Sequence, residues 1–358
     1  MTSLIIANWN VMSHDHSHFN FAGIMEPEVT RNIRYGEIMK LIDKYIELHN
    51  IDILSLEEVS GLLLGNIKTQ MDVFKISYLA TNYDYVVKEM ISPGGLPSQH
   101  LITFFKKNKI SIDKECSSHY QAEYDNKHSS RTQIIHFKTR STGSYQVRFL
   151  YCHIHGIGNP NSPAKLPLFE QLMKYINDWK TLTHNDKVII IGDFNDDCQY
   201  IQDKRSVINI FDDAKINVHN FETTFTSFHR IILSKEKKYF ITPKSEWWSR
   251  MDQIASSGNI DLATYVVYPE YLNPIDKYGM IDMIAPYDYE INTSSMINLD
   301  EIVSNHEILP TEDCSSVVWS GSLVHNPPYW YSDHTLNIYN FTIANEFSPN
   351  TDECASIL

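Results

Sequence analysis

Apolar residues along the 358-residue chain fall into two rhythms. Short β-branched or aromatic runs recur at Leu4 to Val11, Ile51 to Leu56, Tyr83 to Met90, Leu101 to Phe105, Ile134 to Phe137, Gln146 to Ile154, Lys187 to Ile191 and Leu336 to Ile343. Their lengths are those of strands. Elsewhere apolar positions recur at helical spacing. From Arg31 to Leu48, Ile38, Leu41, Ile42, Tyr45 and Ile46 lie opposite Glu37, Lys40, Asp43, Lys44 and Glu47, which predicts an amphipathic helix. A second is expected over Leu166 to Trp179, and a further helical stretch over Lys68 to Ala80. Strands alternating partly with helices predict an α/β fold. The rhythm fades after Asp252. Asp261 to Tyr329 is polar and interrupted by Pro269, Pro274, Pro286, Pro310 and the Pro327-Pro328 pair. It is expected to be a long insertion at 261–329 in one catalytic domain over 1–345, with a disordered tail at 346–358.

Composition narrows the function class. With 42% hydrophobic and 21% charged residues the chain can bury a sizeable core. A net charge of -14 argues against non-specific attraction of a polyanion to the whole surface, although a bound metal reverses the sign locally. The five cysteines (Cys116, Cys152, Cys198, Cys314, Cys354) are odd in number and form no C-x-x-C pair. Free thiols in a reducing compartment are expected, hence an intracellular location, cytoplasmic or nuclear. No segment approaches the roughly 18 consecutive apolar residues of a membrane span.

Several apolar runs end in polar groups. The most informative is Val188 to Ile191, an uncharged run of the kind covered on both faces. Gly192 lets the backbone turn or approach another group closely. Asp193 and Asn195 would leave the same face of an extended chain, and oxygen donors on a rigid strand end suit a hard divalent cation. Asn10, Glu57-Glu58 and His153 end other runs, and Ser332-Asp333-His334 precedes the last one. Singly, each fits a solvated loop. Together they form a constellation.

That constellation resembles the endonuclease/exonuclease/phosphatase superfamily, which includes deoxyribonuclease I. The motifs are Trp9-Asn10, Leu56-Glu57-Glu58-Val59, Cys152-His153-Ile154, Gly192-Asp193-Phe194-Asn195, Arg250-Met251-Asp252-Gln253-Ile254 and Ser332-Asp333-His334, spanning nearly the whole chain. Glu57 stands where the superfamily has Gln, and Gln253 where it has an aromatic. Met280-Ile281-Asp282-Met283-Ile284 is a rival for the fifth motif. The resemblance implies an α/β four-layer sandwich, two packed mixed β-sheets flanked by helices, with the site at one end. It implies phosphoester hydrolysis dependent on Mg²⁺, with Mn²⁺ as a substitute. By position, Glu58 would be the principal metal ligand, supported by Asn10 and Asp333. Asp193 would orient or deprotonate the attacking water, and Asn195 would hold a phosphate oxygen. His334 would be the catalytic histidine, its tautomer fixed by Asp252 or its rival Asp282. His153 would donate to a non-bridging or leaving oxygen. The chemistry is coherent on its own terms, since the reaction needs an in-line water, a cation to absorb charge, and donors around phosphorus.

A phosphodiester in nucleic acid or a nucleotide is the first expectation for substrate. The alternative is a phosphatase or lipid phosphodiesterase of the inositol phosphate or sphingomyelin type. Arg250-Met251-Asp252 disfavours the inositide option, because the Cys-Asp-Arg of that signature is missing. An inactive binding module on the same fold is a third reading. His155 joins the site if the strand stays regular past His153. Arg131, Arg250, His229-Arg230 and Trp247-Trp248 are further candidates for the cleft. Asp196, Asp197 and the histidines His14, His16 and His18 read as solvated.

Overall fold

The computed structural model describes residues 2–11, 28–90, 99–112, 131–140, 147–157, 162–195, 207–219, 227–228, 231–233, 239–241, 248–249, 252–268, 308–310, 317–319, 334 and 336–344. The first half runs β1 (Thr2–Asn10), α1 (Glu28–His49), β2 (Ile53–Val59), α2 (Gly61–Lys68), a π-helical turn (Thr69–Phe74), α3 (Tyr78–Asn82), β3 (Tyr83–Met90), β4 (Gln99–Lys106), β5 (Ile110–Ile112), β6 (Thr132–Thr139) and β7 (Arg148–His155). The second half begins with α4 (Lys165–Thr183), β8 (Val188–Asp193), α5 (Val207–Asp213) and β9 (Asn217–Val218). Short strands follow: β10 (Ser227–Phe228), β11 (Ile231–Leu233), β12 (Tyr239–Ile241) and β13 (Trp248–Ser249). Last come β14 (Asp252–Ser257), β15 (Ile260–Tyr268), β16 (Ile308–Pro310), β17 (Val317–Trp319) and β18 (Leu336–Ile343).

Two six-stranded sheets carry the architecture, ordered β15-β18-β1-β2-β4-β3 and β5-β6-β7-β8-β14-β9. Each has one parallel pair, β1–β2 and β7–β8, whose crossovers contain α1 and α4; the other pairings are antiparallel. The helices bury one stripe each. Tyr35, Ile38, Met39, Ile42, Tyr45 and Ile46 seat α1 on the first sheet, and Leu168, Phe169, Leu172, Met173, Ile176 and Trp179 seat α4 on the second. A third cluster, including Leu4, Ile6, Ile53, Phe149, Tyr151, Ile189, Ile191 and Phe341, fills the space between the sheets. The result is a four-layer α/β sandwich. Among the described residues no helix is long and apolar enough to cross a membrane.

Two elements differ from expectation. Lys68 to Ala80 is not one helix: the chain widens into the π-turn, closes on Lys75 at φ 51°, and starts α3 at Ser77, whose Oγ accepts the Ala80 N–H at 3.1 Å. Residues 261–268 are not part of an insertion. They belong to β15, which pairs along its length with β18. This strand lies at the sheet edge with Asp261, Ala263 and Thr264 exposed, and a register shift between Leu262 and Thr264 breaks its alternation.

Where the sheets meet, aliphatic side chains give way to polar ones toward one end. On β1 the inward residues are Leu4, Ile6, Asn8 and Asn10; on β2, Ile53, Ser55 and Glu57; on β7, Phe149, Tyr151, His153 and His155; on β8, Ile189, Ile191 and Asp193. Polar bonds cross the seam: Ser55 Oγ lies 2.6 Å from Tyr151 Oη, and Thr103 Oγ1 donates to Gln133 Oε1 at 2.6 Å. The carboxyl ends of both parallel pairs point to this polar end.

Candidate active site

Gly192 has φ 140°, and a Cβ there would stand 1.9 Å from the Ile154 carbonyl oxygen. Only glycine lets β8 close on β7 at this point. The next residue, Asp193, lies opposite His155 on one side and Asp252 on the other. Its Oδ1 accepts the Asn195 N–H at 2.7 Å, and its Oδ2 accepts from Asn10 Nδ2 at 3.1 Å and Asn195 Nδ2 at 3.2 Å. Asn195 takes φ 49°, a conformation Asn tolerates better than most residues. Burial alone would raise the Asp193 pKa. His334 nearby, the hydrogen bond from His155 and the Asn195 N–H outweigh it and hold the carboxyl below its ordinary value.

His334 faces the same carboxylate, with Nε2 3.7 Å from Asp193 Oδ2. Its Nδ1 is 2.7 Å from Asp252 Oδ2, and its carbonyl accepts from Trp9 Nε1 at 3.1 Å. Asp252 also accepts from Asn8 Nδ2 at 3.2 Å. An ionised carboxylate can only accept, so Nδ1 carries a ring proton and Nε2 is turned toward Asp193.

A bulge separates two neighbouring glutamates. The β2–β4 register shifts between Leu56 and Val59, and Glu58 takes φ 53°. The conformation is costly for a residue with a Cβ, and it sends Glu57 and Glu58 to different depths of one seam. Glu58, partly exposed, stands 3.2 Å from His155 Nε2 and meets Gln99 Nε2 at 3.4 Å. Glu57 is fully buried, with Oε1 2.8 Å from His153 Nε2. The Thr103 hydroxyl gives its one proton to Gln133, so it accepts from His153 Nδ1 at 3.2 Å. His153 Nε2 is then a lone pair, and Glu57 must be the protonated donor. The electrostatics agree. Burial, with Asp252 and Asp193 nearby, pushes Glu57 well above the usual carboxyl range, while burial and His155 lower His153 to about 3.

Arg131 settles the neighbouring histidine. Its Nη2 donates to His155 Nδ1 at 2.9 Å, and its Nε reaches the His155 and Gly156 carbonyls. Arginine cannot accept, so the proton of His155 sits on Nε2, aimed at Glu58 and at Asp193 Oδ2 3.5 Å away. Burial and Arg131 lower its pKa; hydrogen bonds to Asp193 and Glu58 prevail and raise it.

The arrangement of sheets is shared with known structures. An endonuclease/exonuclease/phosphatase family protein from Bacteroides thetaiotaomicron superposes with a TM-score of 0.50 at 14% identity, covering 96% of this chain and 98% of its own. The endonuclease/exonuclease/phosphatase from Bacteroides vulgatus gives 0.50 at 12%, covering 96% and 100%. The chain has the endonuclease/exonuclease/phosphatase fold. No protein-family model and no curated protein matches the sequence.

On this endonuclease/exonuclease/phosphatase scaffold the described residues bring together Asn10, Glu58, Asp193, Asn195, Asp252 and His334. His153 lies one layer deeper, opposite Ile191, with both ring nitrogens engaged; His155 reaches the cleft in its place. Asp333, Arg250, Asp282, His229-Arg230 and the pairs Asp196-Asp197 and Trp247-Trp248 lie outside the residues whose side chains are described, as do His14, His16 and His18. Sequence reasoning placed Asn8 at the polar end of the first strand without a role, left Gln99 unremarked and Arg131 undecided. For Asn8 a signal existed, because it precedes Asn10 by two on an apolar strand.

Ligand atoms of Glu58, His155 and Asp193 lie within 4.8 Å of one another, a group that could hold a metal ion. Within it the donors are unequal. Asp193 already accepts three hydrogen bonds at 3.2 Å or less, and the His155 proton occupies the nitrogen that faces the cleft. Glu58, with longer contacts and partial exposure, is the carboxylate best placed to take a hard cation that keeps most of its waters.

Proposed function

We propose that the chain is a metal-dependent phosphoester hydrolase that attacks with water, and that its substrate is a phosphodiester in a nucleic acid or nucleotide. The observation that carries this reading is the Asp252–His334–Asp193 alignment, joined to Glu58 through His155 Nε2, which stands 3.5 Å from Asp193 and 3.2 Å from Glu58. Asp252 accepts from Nδ1 of His334 and turns Nε2 toward the reaction: a proton carried on Nε2 passes to the leaving oxygen as its bond to phosphorus breaks, and the proton that Asp193 takes from the attacking water replaces it. Asp193, kept ionised, orients the attacking water and takes its proton. Asn195 turns its amide from Asp193 to a phosphate oxygen, and His155 Nε2–H donates to another. Arg131, most of its surface buried behind His155, offsets the crowding of carboxylates. Mg²⁺ or Mn²⁺ bound on Glu58, with Asn10 and Asp333 in support, would neutralise charge that develops on the phosphoryl oxygens. No thiol or hydroxyl nucleophile is needed; the described Cys152 is buried and its pKa is raised.

A net charge of -14 favours a small or locally gripped substrate over a long polyanion held along the surface. The test is a panel with Mg²⁺ or Mn²⁺: bis-p-nitrophenyl phosphate, single-stranded and duplex DNA, RNA, cyclic dinucleotides, inositol phosphates and sphingomyelin. Hydrolysis of a nucleic acid or nucleotide that is lost on chelation and in Asp193→Asn is the expected result. Turnover confined to inositol phosphates or sphingomyelin would reassign the substrate, and no turnover at all would leave a binding module.

A further inference from the structure

Asn8 and Asn10 lie two apart on β1, so both amides leave the face that meets the opposite sheet. Each reaches a different carboxylate there: Asn10 binds Asp193, and Asn8 donates to Asp252 Oδ1 at 3.2 Å. Asp193 and Asp252 are directly opposed residues of β8 and β14, two buried acids side by side. The second oxygen of Asp252 accepts the His334 Nδ1 proton at 2.7 Å. A carboxylate held at one oxygen from β1 and at the other by the ring cannot rotate without breaking a bond.

Asn8 is fully buried, so it cannot touch a substrate in the cleft. Among the described residues its Oδ1 has no hydrogen-bond partner. An orphaned buried acceptor is unfavourable, and a residue kept for packing alone would carry no polar atom here. What the position supplies is the N–H.

We propose that Asn8 is a positioning residue that fixes the plane of the Asp252 carboxylate and so aims the His334 ring at the reacting phosphate. The catalytic consequence rests on the hydrolase reading above; the orientation of the ring does not. The test therefore has two readouts on Asn8→Ala, with thermal unfolding followed alongside. The first is the His334 Nδ1–H proton resonance, assigned by its disappearance in His334→Ala. It is expected to shift or broaden in Asn8→Ala and to recover partly in Asn8→Ser, which keeps a short donor. The second is turnover of bis-p-nitrophenyl phosphate with Mn²⁺. Here kcat should fall about tenfold with KM unchanged, the loss of one hydrogen bond to a charged group. The same substitution in an Asp252→Ala background should cost nothing more. An unchanged resonance in Asn8→Ala overturns the proposal whether or not turnover is measurable, and so do additive losses in the double variant. A shifted resonance in a protein that hydrolyses nothing upholds Asn8 and sinks the hydrolase reading alone.

Discussion

The buried Glu57–His153 pair makes an unusual demand on the pH dependence of stability. Glu57 is raised well above its ordinary 4.5, so alone it contributes stability that is complete below 4.5 and declines as pH rises. His153 is lowered from 6.5 to about 3, so alone it contributes stability that is complete above 6.5 and declines as pH falls. Between 4.5 and 6.5 the two slopes oppose each other. The folded pair holds one proton, on Glu57, and the unfolded pair also holds one, on His153. Wild-type stability should therefore owe nothing to this pair's titration across that window. His153→Gln removes one slope and exposes the other. At about 1.36 kcal/mol per pH unit, and with the unfolded carboxyl half ionised at the lower limit, the variant should lose roughly 2 kcal/mol relative to wild type between pH 4.5 and 6.5. Glu57→Gln should show the mirror image, gaining relative to wild type as pH rises. Urea unfolding of the three proteins at about pH 4.5, 5.5 and 6.5 measures this, and the difference between proteins cancels every other titrating group. Parallel stability curves for wild type and His153→Gln would refute the assignment of the proton to Glu57.

Three further outcomes are expected. His334→Ala should lower kcat by about 10²–10⁴-fold with the fold intact, measured on whichever phosphoester the wild type hydrolyses. Glu58→Gln should move the Mg²⁺ activation curve to higher concentration, and a superimposable titration would assign the cation elsewhere. Gly192→Ala should destabilise by ~4 kcal/mol or more, because its Cβ meets backbone that cannot yield; an unfolding midpoint within about a degree of wild type would contradict the packing.

Much of the architecture was legible because burial on both faces leaves a plain mark. Val188 to Ile191 and the run through Phe149 to Ile154 read as strands, and Gly192 followed by Asp193 read as their sharp end. What stayed hidden depends on depth. His153 and His155 share a face, and nothing in their spacing says which one stands level with Asp193; the parallel register decides it. Glu57 and Glu58 differ by one position, and the positive φ at Glu58 that separates their jobs is a tertiary fact. The spacing of Asn8 and Asn10 showed their shared face, but not the partner of Asn8: Asp252 lies 244 positions away. β15 was misread although Leu262 and Tyr265 to Tyr268 are apolar, because its alternation is broken between Leu262 and Thr264 and prolines crowd the stretch that follows.

The placement of β18 has a consequence for how the protein is made. It lies between β1 and β15, inside its sheet, and Thr2 pairs with Ile343. A growing chain thus displays β1 long before the neighbour that completes it exists. Such distant pairing is slow to form, and the waiting strand offers an open edge to other chains. His334 arrives with the same segment. Catalytic competence and closure of the sheet are therefore one late event, and a chain interrupted before Leu336 is an aggregation hazard rather than a weakened enzyme.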